Sequence, residues 1–367
     1  MRVIMLGLAL AAAGTLAFAA SIVAADRALD GDTVAAAAPA TASGSGGHAA
    51  AEVAAAGGVV PTPSFAGQTA ANAAELAQAR TPFDATLPPL QPGPLVKVNL
   101  TVKDQVVEIA PGVKYRIWSF AGTGVPGPTI HVREGQTVEV TITNGGTIPH
   151  SIDFHAARIA PNEAFRDANP GESFTYRFTA KDSGVFMYHC GTAPVLAHIA
   201  NGMYGAIVVS PKQPLPKADR EYVLVGSEFY LNGPGIDTPA DLDMTKARAA
   251  TPDWAAFNGY AGQYKDHPLT AKPGETVRFW VVAAGPSIDV RFHVVGTVFD
   301  RAWPNQDLTN VQRGVQTVSV PAGGGGVFDV KIDDPGLYPI VNHAFAYADL
   351  GQVGILKVGT PKGTSSH

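Results

Sequence analysis

The strongest constraint on this chain is that it repeats itself. The block GQTVEVTIT at residues 135–143 returns as GETVRFWVV at 274–282, and SIDFH at 151–155 returns as SIDVRFH at 287–293. A third block, PGESFTYRFTAKDSGVFMYHC at 170–190, returns as GGGGVFDVKIDDPGLYPIVNH at 323–343. Three blocks recurring in one order imply a duplicated unit, so the body is expected to hold two related domains. Within each copy, short β-branched stretches of alternating polarity, such as VKVNLTVKDQVVEIA and TIHVREGQTVEVTITN, are split by Gly and Pro turns. No helix-period segment of comparable length interrupts them. The expected fold is therefore all-β, two β-sandwiches in tandem over residues 95–212 and 213–360, with PKQPLPKAD at 211–219 as hinge and 361–367 as a tail.

The chain ahead of the repeat has a different character. Residues 1–25 carry Arg2, an uncharged apolar run and small residues, the pattern of an export signal, or of a membrane anchor where it stays uncleaved. No twin-arginine pair precedes the run and no cysteine lies near it, which excludes those routes of export and lipid modification. Residues 26–94 are rich in Ala, Gly, Ser, Thr and Pro and poor in large apolar side chains, so they read as a tether with room for a short helix at 69–80. A net charge of −5 offers no basic excess for a phosphate backbone, which argues against nucleic acid as a partner. In a periplasmic or other extracytoplasmic setting the single cysteine, Cys190, has no disulfide partner in its own chain, and its thiol needs protection.

The neighbours of Cys190 supply that protection. His150 and His155 bracket the block HSIDFH, His189 precedes the cysteine, and His198 and Met203 follow it in a short loop. A thiolate, two imidazoles and a thioether suit a mononuclear blue-type copper with Met as weak axial ligand, whereas structural zinc favours closed tetrahedral N/S sites and has no use for Met. Side chains alternate across a strand, so His189 and Cys190 must point to opposite faces, and two sites are implied. With HSIDFH extended, His150 joins Cys190 on one face while Asp153 and His155 join His189 on the other. Two imidazoles are too few for a stable copper site, so the second needs a ligand from elsewhere. In the second repeat Asn342 stands where Cys190 stood, which removes the thiolate site, while His343 points the other way. Alternation there puts Val290, Phe292 and Val294 on one face and Arg291, His293 and Val295 on the other.

The segments HSIDFHA, YHCGTAPVLAHIANGMYG, FHVVG and VNH resemble the copper-containing, nitric-oxide-forming nitrite reductases, two-domain members of the multicopper oxidase group, over residues 96–358. The resemblance implies two Greek-key cupredoxin-like sandwiches and two coppers per chain. It assigns His150, Cys190, His198 and Met203 to type 1 copper and His155, His189 and His343 to type 2 copper. Asp153 and His293 match the family's acid–base pair, Val295 the aliphatic residue of the substrate pocket, and Gln316 and Thr317 the neighbours that orient the catalytic histidine. The implied protein is an oxidoreductase that takes nitrite to nitric oxide and water with one electron and two protons. It would be a homotrimer with the type 2 site between subunits, fed by a separate donor, a c-type cytochrome or a cupredoxin. No CxxCH occurs for a fused haem. One departure is visible: eight positions separate Cys190 from His198, one fewer than in many members.

Two other function classes fit less well. A two-domain laccase builds its trinuclear cluster from paired His-x-His motifs, and none of the ten histidines lies two residues from another. A non-catalytic type 1 electron carrier would leave His155, His343 and the Asp153–His293 pair without a task. His48, His131, His267 and His367 have no metal-ligand company in sequence, and Trp254, Trp280, Trp303 and Tyr260 read as packing residues. Denitrifying respiration, detoxification and signalling would all use the same residues.

Overall fold

The computed structural model describes residues 63–122 and 124–361. The proposed signal or anchor, the first part of the tether, His48, His367 and nearly all of the tail lie outside them. Four sheets make up the body. One of four strands runs in the order Val113–Phe120, Leu95–Ala110, Thr137–Asn144, Ser173–Thr179, and faces another in the order Ile130–Arg133, Tyr204–Ser210, Gly184–His189, Asp153–Phe154. Beyond residues 211–219, which form no strand, a five-stranded sheet follows the order Trp254–Phe257, Arg220–Phe229, Thr276–Gly285, Gly325–Lys331, Arg301–Pro304. The last sheet follows the order Leu269–Ala271, Val353–Val358, Gly336–Asn342, Val290–Val294, Val318–Val320.

The duplication is carried into the pairing. Leu95–Ala110 runs parallel to Thr137–Asn144, and Arg220–Phe229 runs parallel to Thr276–Gly285. Ile130–Arg133 and Tyr204–Ser210 are parallel, as are Leu269–Ala271 and Val353–Val358. Each repeated sequence block thus occupies the same station in its own sandwich.

Burial follows the period of two. Along Leu95–Ala110, Val96, Val98, Leu100 and Val102 are buried while the residues between them are exposed. They meet Val138, Val140, Ile142, Phe154 and Tyr188 in the first core. In the second core Phe292 is fully enclosed, stacked on Phe299 at 5.8 Å and tilted against Phe328 at 5.0 Å.

Gly184–His189 departs from alternation because it is buried on both faces. Phe186 and Tyr188 enter the first core, whereas Val185 and Met187 join Tyr204, Ala206 and Val208 in a third cluster with Val223, Val225, Trp280, Val282, Trp303 and Val327 of the second sandwich. Trp254 belongs to that same cluster, and Tyr260 is likewise enclosed.

The segment ahead of the first strand is fastened to the sandwiches from Phe65 onward, where composition alone suggests a loose tether. The Phe65 N–H donates to Asp253 at 2.7 Å, the Phe83 N–H to Gln263 at 2.7 Å, and the Ala85 carbonyl accepts from Val223 at 2.7 Å. His267 Nε2 meets the Ala77 carbonyl at 2.9 Å, and His131 bridges the Pro88 carbonyl and the Ser210 hydroxyl at 2.7 and 2.8 Å. These bonds use main-chain groups, which every residue type offers, so the low apolar content does not prevent attachment. The short helix forms at Ala73–Ala79, inside 69–80.

Phe292→Ala removes a ring with four aromatic neighbours, Phe257, Phe279, Phe299 and Phe328, and should destabilise the protein by about 3–5 kcal/mol, read as a lowered guanidinium unfolding midpoint.

Candidate metal centres

Pairing on the central strand decides which side chains meet. Asp153 lies directly across from His189, and Phe154 across from Tyr188. His189 shares the face of Val185 and Met187, towards the second sandwich, and Cys190 turns with Phe186 and Tyr188 into the first core. The Cys190 N–H donates to the Met203 carbonyl at 3.1 Å, which continues the ladder and puts Met203 in that core beside it. The helix Val195–Ala200 supplies His198, and the Met203 N–H closes the loop on the His198 carbonyl at 3.1 Å.

Three donor atoms converge in the first centre. His150 Nδ1 and His198 Nδ1 are 3.2 Å apart, and Cys190 Sγ is 3.2 Å from His198 Nδ1 and 3.9 Å from His150 Nδ1. All three residues are buried. Burial holds both imidazoles neutral, with pKa values lowered to about 4, the charge of His198 adding to the effect at His150. Burial also raises the Cys190 thiol, while hydrogen bonds from Thr192 and Ser151 oppose it. The Ser151 N–H lies 3.3 Å from Sγ. Trp118 packs on both rings, at 5.4 Å from His150 and 4.8 Å from His198. His150 Nε2 is buried without a hydrogen-bond partner among the described residues, so its ring takes its orientation from what Nδ1 faces. A buried thiol with two neutral imidazoles, and no carboxylate, is a donor set that fits copper.

A second cluster holds Asp153, His155 and His189. The two Nε2 atoms lie 3.0 Å apart. His155 Nδ1 donates to the Gly323 carbonyl at 2.9 Å and His189 Nδ1 to the Cys190 carbonyl at 2.9 Å, which keeps each proton on Nδ1 and leaves each Nε2 lone pair bare. Bare lone pairs at this distance repel unless a cation joins them, so this pair also fits a metal ion. Burial lowers the His189 pKa, with the carbonyl bond and Asp153 acting in the opposite direction and His155 in the same one. Asp153 Oδ2 is 3.9 Å from His189 Nε2.

His343 does not join that cluster within the chain. It lies exposed beside His293, the rings 5.4 Å apart and edge to face, with its N–H held by the Arg291 carbonyl at 2.7 Å. His293 Nδ1 donates to the Gln316 carbonyl at 2.6 Å, so its Nε2 is the free nitrogen. Thr317 is exposed and makes no bond to that ring, and Val295 is half-buried with its N–H on the Pro339 carbonyl at 2.8 Å. Alternation holds across Val290–Val294: Val290, Phe292 and Val294 are buried, Arg291 is exposed and His293 half-buried. Trp118, Ser151, Thr192 and Gly323 are contacts that motif spacing misses. Trp118 acts by packing and Gly323 through a main-chain carbonyl, both from distant positions, whereas Ser151 and Thr192 lie next to His150 and Cys190 and act through their N–H and hydroxyl groups.

A family model described as Multicopper oxidase matches residues 101–214. The copper-containing nitrite reductase of Neisseria gonorrhoeae is 42% identical over 269 residues, covering 72% of this chain and 68% of that protein. The copper-containing nitrite reductase of Rhizobium sullae is 33% identical over 288 residues, with 72% and 76% covered. Among solved structures, the copper nitrite reductase from Nitrosomonas europaea superposes with a TM-score of 0.67 at 38% identity, covering 73% of this chain and 98% of that one.

The neutral imidazole pair predicts an acid sensitivity. In the unfolded chain His150 and His198 take up protons near their ordinary value of 6.5, but the folded protein refuses them until about 4. Between these values the unfolded state binds more protons, so stability falls as pH falls. Thermal melts of metal-depleted protein should show the unfolding temperature dropping from pH 7 to pH 4.5 by more than in an otherwise intact His198→Gln variant.

Proposed function

The chain belongs to the copper-containing nitrite reductases, and from that premise we propose how its residues divide the reduction of nitrite to nitric oxide. The reaction consumes one electron and two protons and releases water. His150, Cys190, His198 and Met203 hold a type 1 copper, whose buried thiol and neutral imidazoles support this reading. His155 and His189 hold a type 2 copper together with His343 from a neighbouring copy of the chain. The separation of His343 from the His155–His189 pair within one chain favours a shared site, and head-to-tail contacts of this kind close into a ring, here a homotrimer. When bound, the coppers would relay the donor's electron and supply Lewis-acid binding for nitrite.

The observation that carries the proposal is the junction of the two donor sets. His189 and Cys190 are consecutive and face opposite ways, so one peptide unit gives a covalent route between the centres. Proton delivery falls to two groups. Asp153 reaches its position by pairing across from His189, which leaves its carboxyl able to hydrogen-bond an oxygen of nitrite and pass a proton to it. His293, its Nδ1 fixed on the Gln316 carbonyl, offers Nε2 for the second proton. Because His293 stands beside His343, the copy that provides the third ligand brings this group with it. Val295, in the turn just past the strand Val290–Val294, borders the substrate position. The electron comes from a separate c-type cytochrome or cupredoxin, and residues 1–25 direct the protein out of the cytoplasm, cleaved or retained as an anchor.

Purified protein should bind about two coppers per chain, one strongly coloured, and release nitric oxide from nitrite with a reduced donor. Electron paramagnetic resonance with a nitric oxide assay checks this, and a type 1 signal alone would contradict it. Cys190→Ser should abolish the colour while sparing the type 2 signal. His293→Ala should keep both coppers and lower turnover by about 100-fold or more; full activity would remove His293 from its role.

A further inference from the structure

We propose that Asp289 is a positioning residue for the second centre, clamping the glycine-rich turn whose carbonyl orients His155; this rests on His155 being a type 2 copper ligand. The His155 ring is held by the carbonyl of Gly323. Gly323 opens a run of four glycines, residues 323–326, and has a φ of +78°. Glycine loses more backbone freedom on ordering than any other residue, so a carbonyl on such a run stays in place only if neighbouring groups pin it. Asp289 pins it from immediately before the run, alongside the main-chain bonds from the Gly323 N–H to the Ala283 carbonyl at 2.7 Å and from the Ala283 N–H to the Gly324 carbonyl at 3.1 Å. Its Oδ1 accepts from the Ala322 N–H at 2.9 Å and its Oδ2 from the Ser319 hydroxyl at 3.1 Å.

Asp289 is itself anchored from two sides. The buried carboxylate of Glu228 accepts the Ile288 N–H at 2.7 Å, fixing the preceding residue. The Asn342 side-chain amide donates to the Asp289 carbonyl at 3.0 Å. The clamped segment reaches further, because Val318–Val320 pairs with Val290–Val294 and follows Gln316, whose carbonyl holds His293. One carboxylate therefore sits between the supports of both histidines. Asp289 shares the string SID with Asp153 but not its station: Asp153 pairs across from His189, and in the second copy it is His293 that pairs across from the corresponding Val341.

The test is a copper titration of metal-depleted, assembled protein, comparing wild type, Asp289→Ala and Asp289→Asn by electron paramagnetic resonance and visible absorption. Asp289→Ala should weaken type 2 copper binding by about 10-fold or more with the coloured site unchanged, and Asp289→Asn, which keeps an acceptor for the Ala322 N–H, should recover most of the loss. Nitrogen NMR of the metal-free protein should find the His155 proton on Nδ1 in wild type and shared between both nitrogens in Asp289→Ala. Should Asp289→Ala not fold, Ser319→Ala removes one of the two bonds and should shift both readouts the same way, by less. Unchanged type 2 affinity together with an unchanged His155 tautomer overturns the clamp. Wild-type protein without a type 2 signal overturns instead the ligand assignment beneath it.

Discussion

The structure depends on one strand being buried twice. Gly184–His189 gives Phe186 and Tyr188 to its own sandwich and Val185 and Met187 to the cluster shared with the second. A one-residue slip would exchange the two sets and turn every side chain to the wrong core. Register here is held by two apolar surfaces rather than one. The residues at the end of the strand inherit that certainty: Cys190 goes inward to His150 and His198, and His189 goes outward to His155 and Asp153. Packing on both faces of the strand thus sets which side chain joins which cluster.

The repeat shows what happens when such a site is given up. The Cys190 N–H bonds to the Met203 carbonyl, and in the second sandwich the Asn342 N–H bonds to the Gln352 carbonyl at 3.2 Å, so Asn342 and Gln352 occupy the stations of the cysteine and the methionine. The Asn342 side chain is wholly buried and makes four hydrogen bonds, accepting from the Arg291 and Ala344 N–H groups and donating to the Asp289 carbonyl and to Gln352. A buried amide is stable only when its donors and acceptors are met, and here they are. The same bonds set the chain on either side of His343 and before His293.

Much of this was legible in the residues. The β-branched alternation and the recurrence of three blocks implied paired sandwiches, and parity alone divided His150 and Cys190 from His155 and His189 without reference to any relative. The first cluster was readable because His150, Cys190 and His198 carry their chemistry in side chains with few substitutes. The supports were not. Gly323 and Gln316 act through carbonyl groups that every residue possesses, and Trp118 reaches the imidazoles from a strand over thirty positions away from His150. The fastening of residues 65–93 escaped for the same reason: its bonds are mostly main-chain, and composition predicts how much a segment can bury but not what it can hydrogen-bond.

The first sandwich keeps two neutral imidazoles and a thiol facing one another inside a core, a donor set suited to a metal ion. The second reaches full hydrogen-bond satisfaction from its own sequence at the equivalent position. At that position the second sandwich satisfies its buried polar groups without any metal, and the apolar face it turns to the first, with Val223, Val225, Trp280 and Val327, is therefore set by its own residues alone.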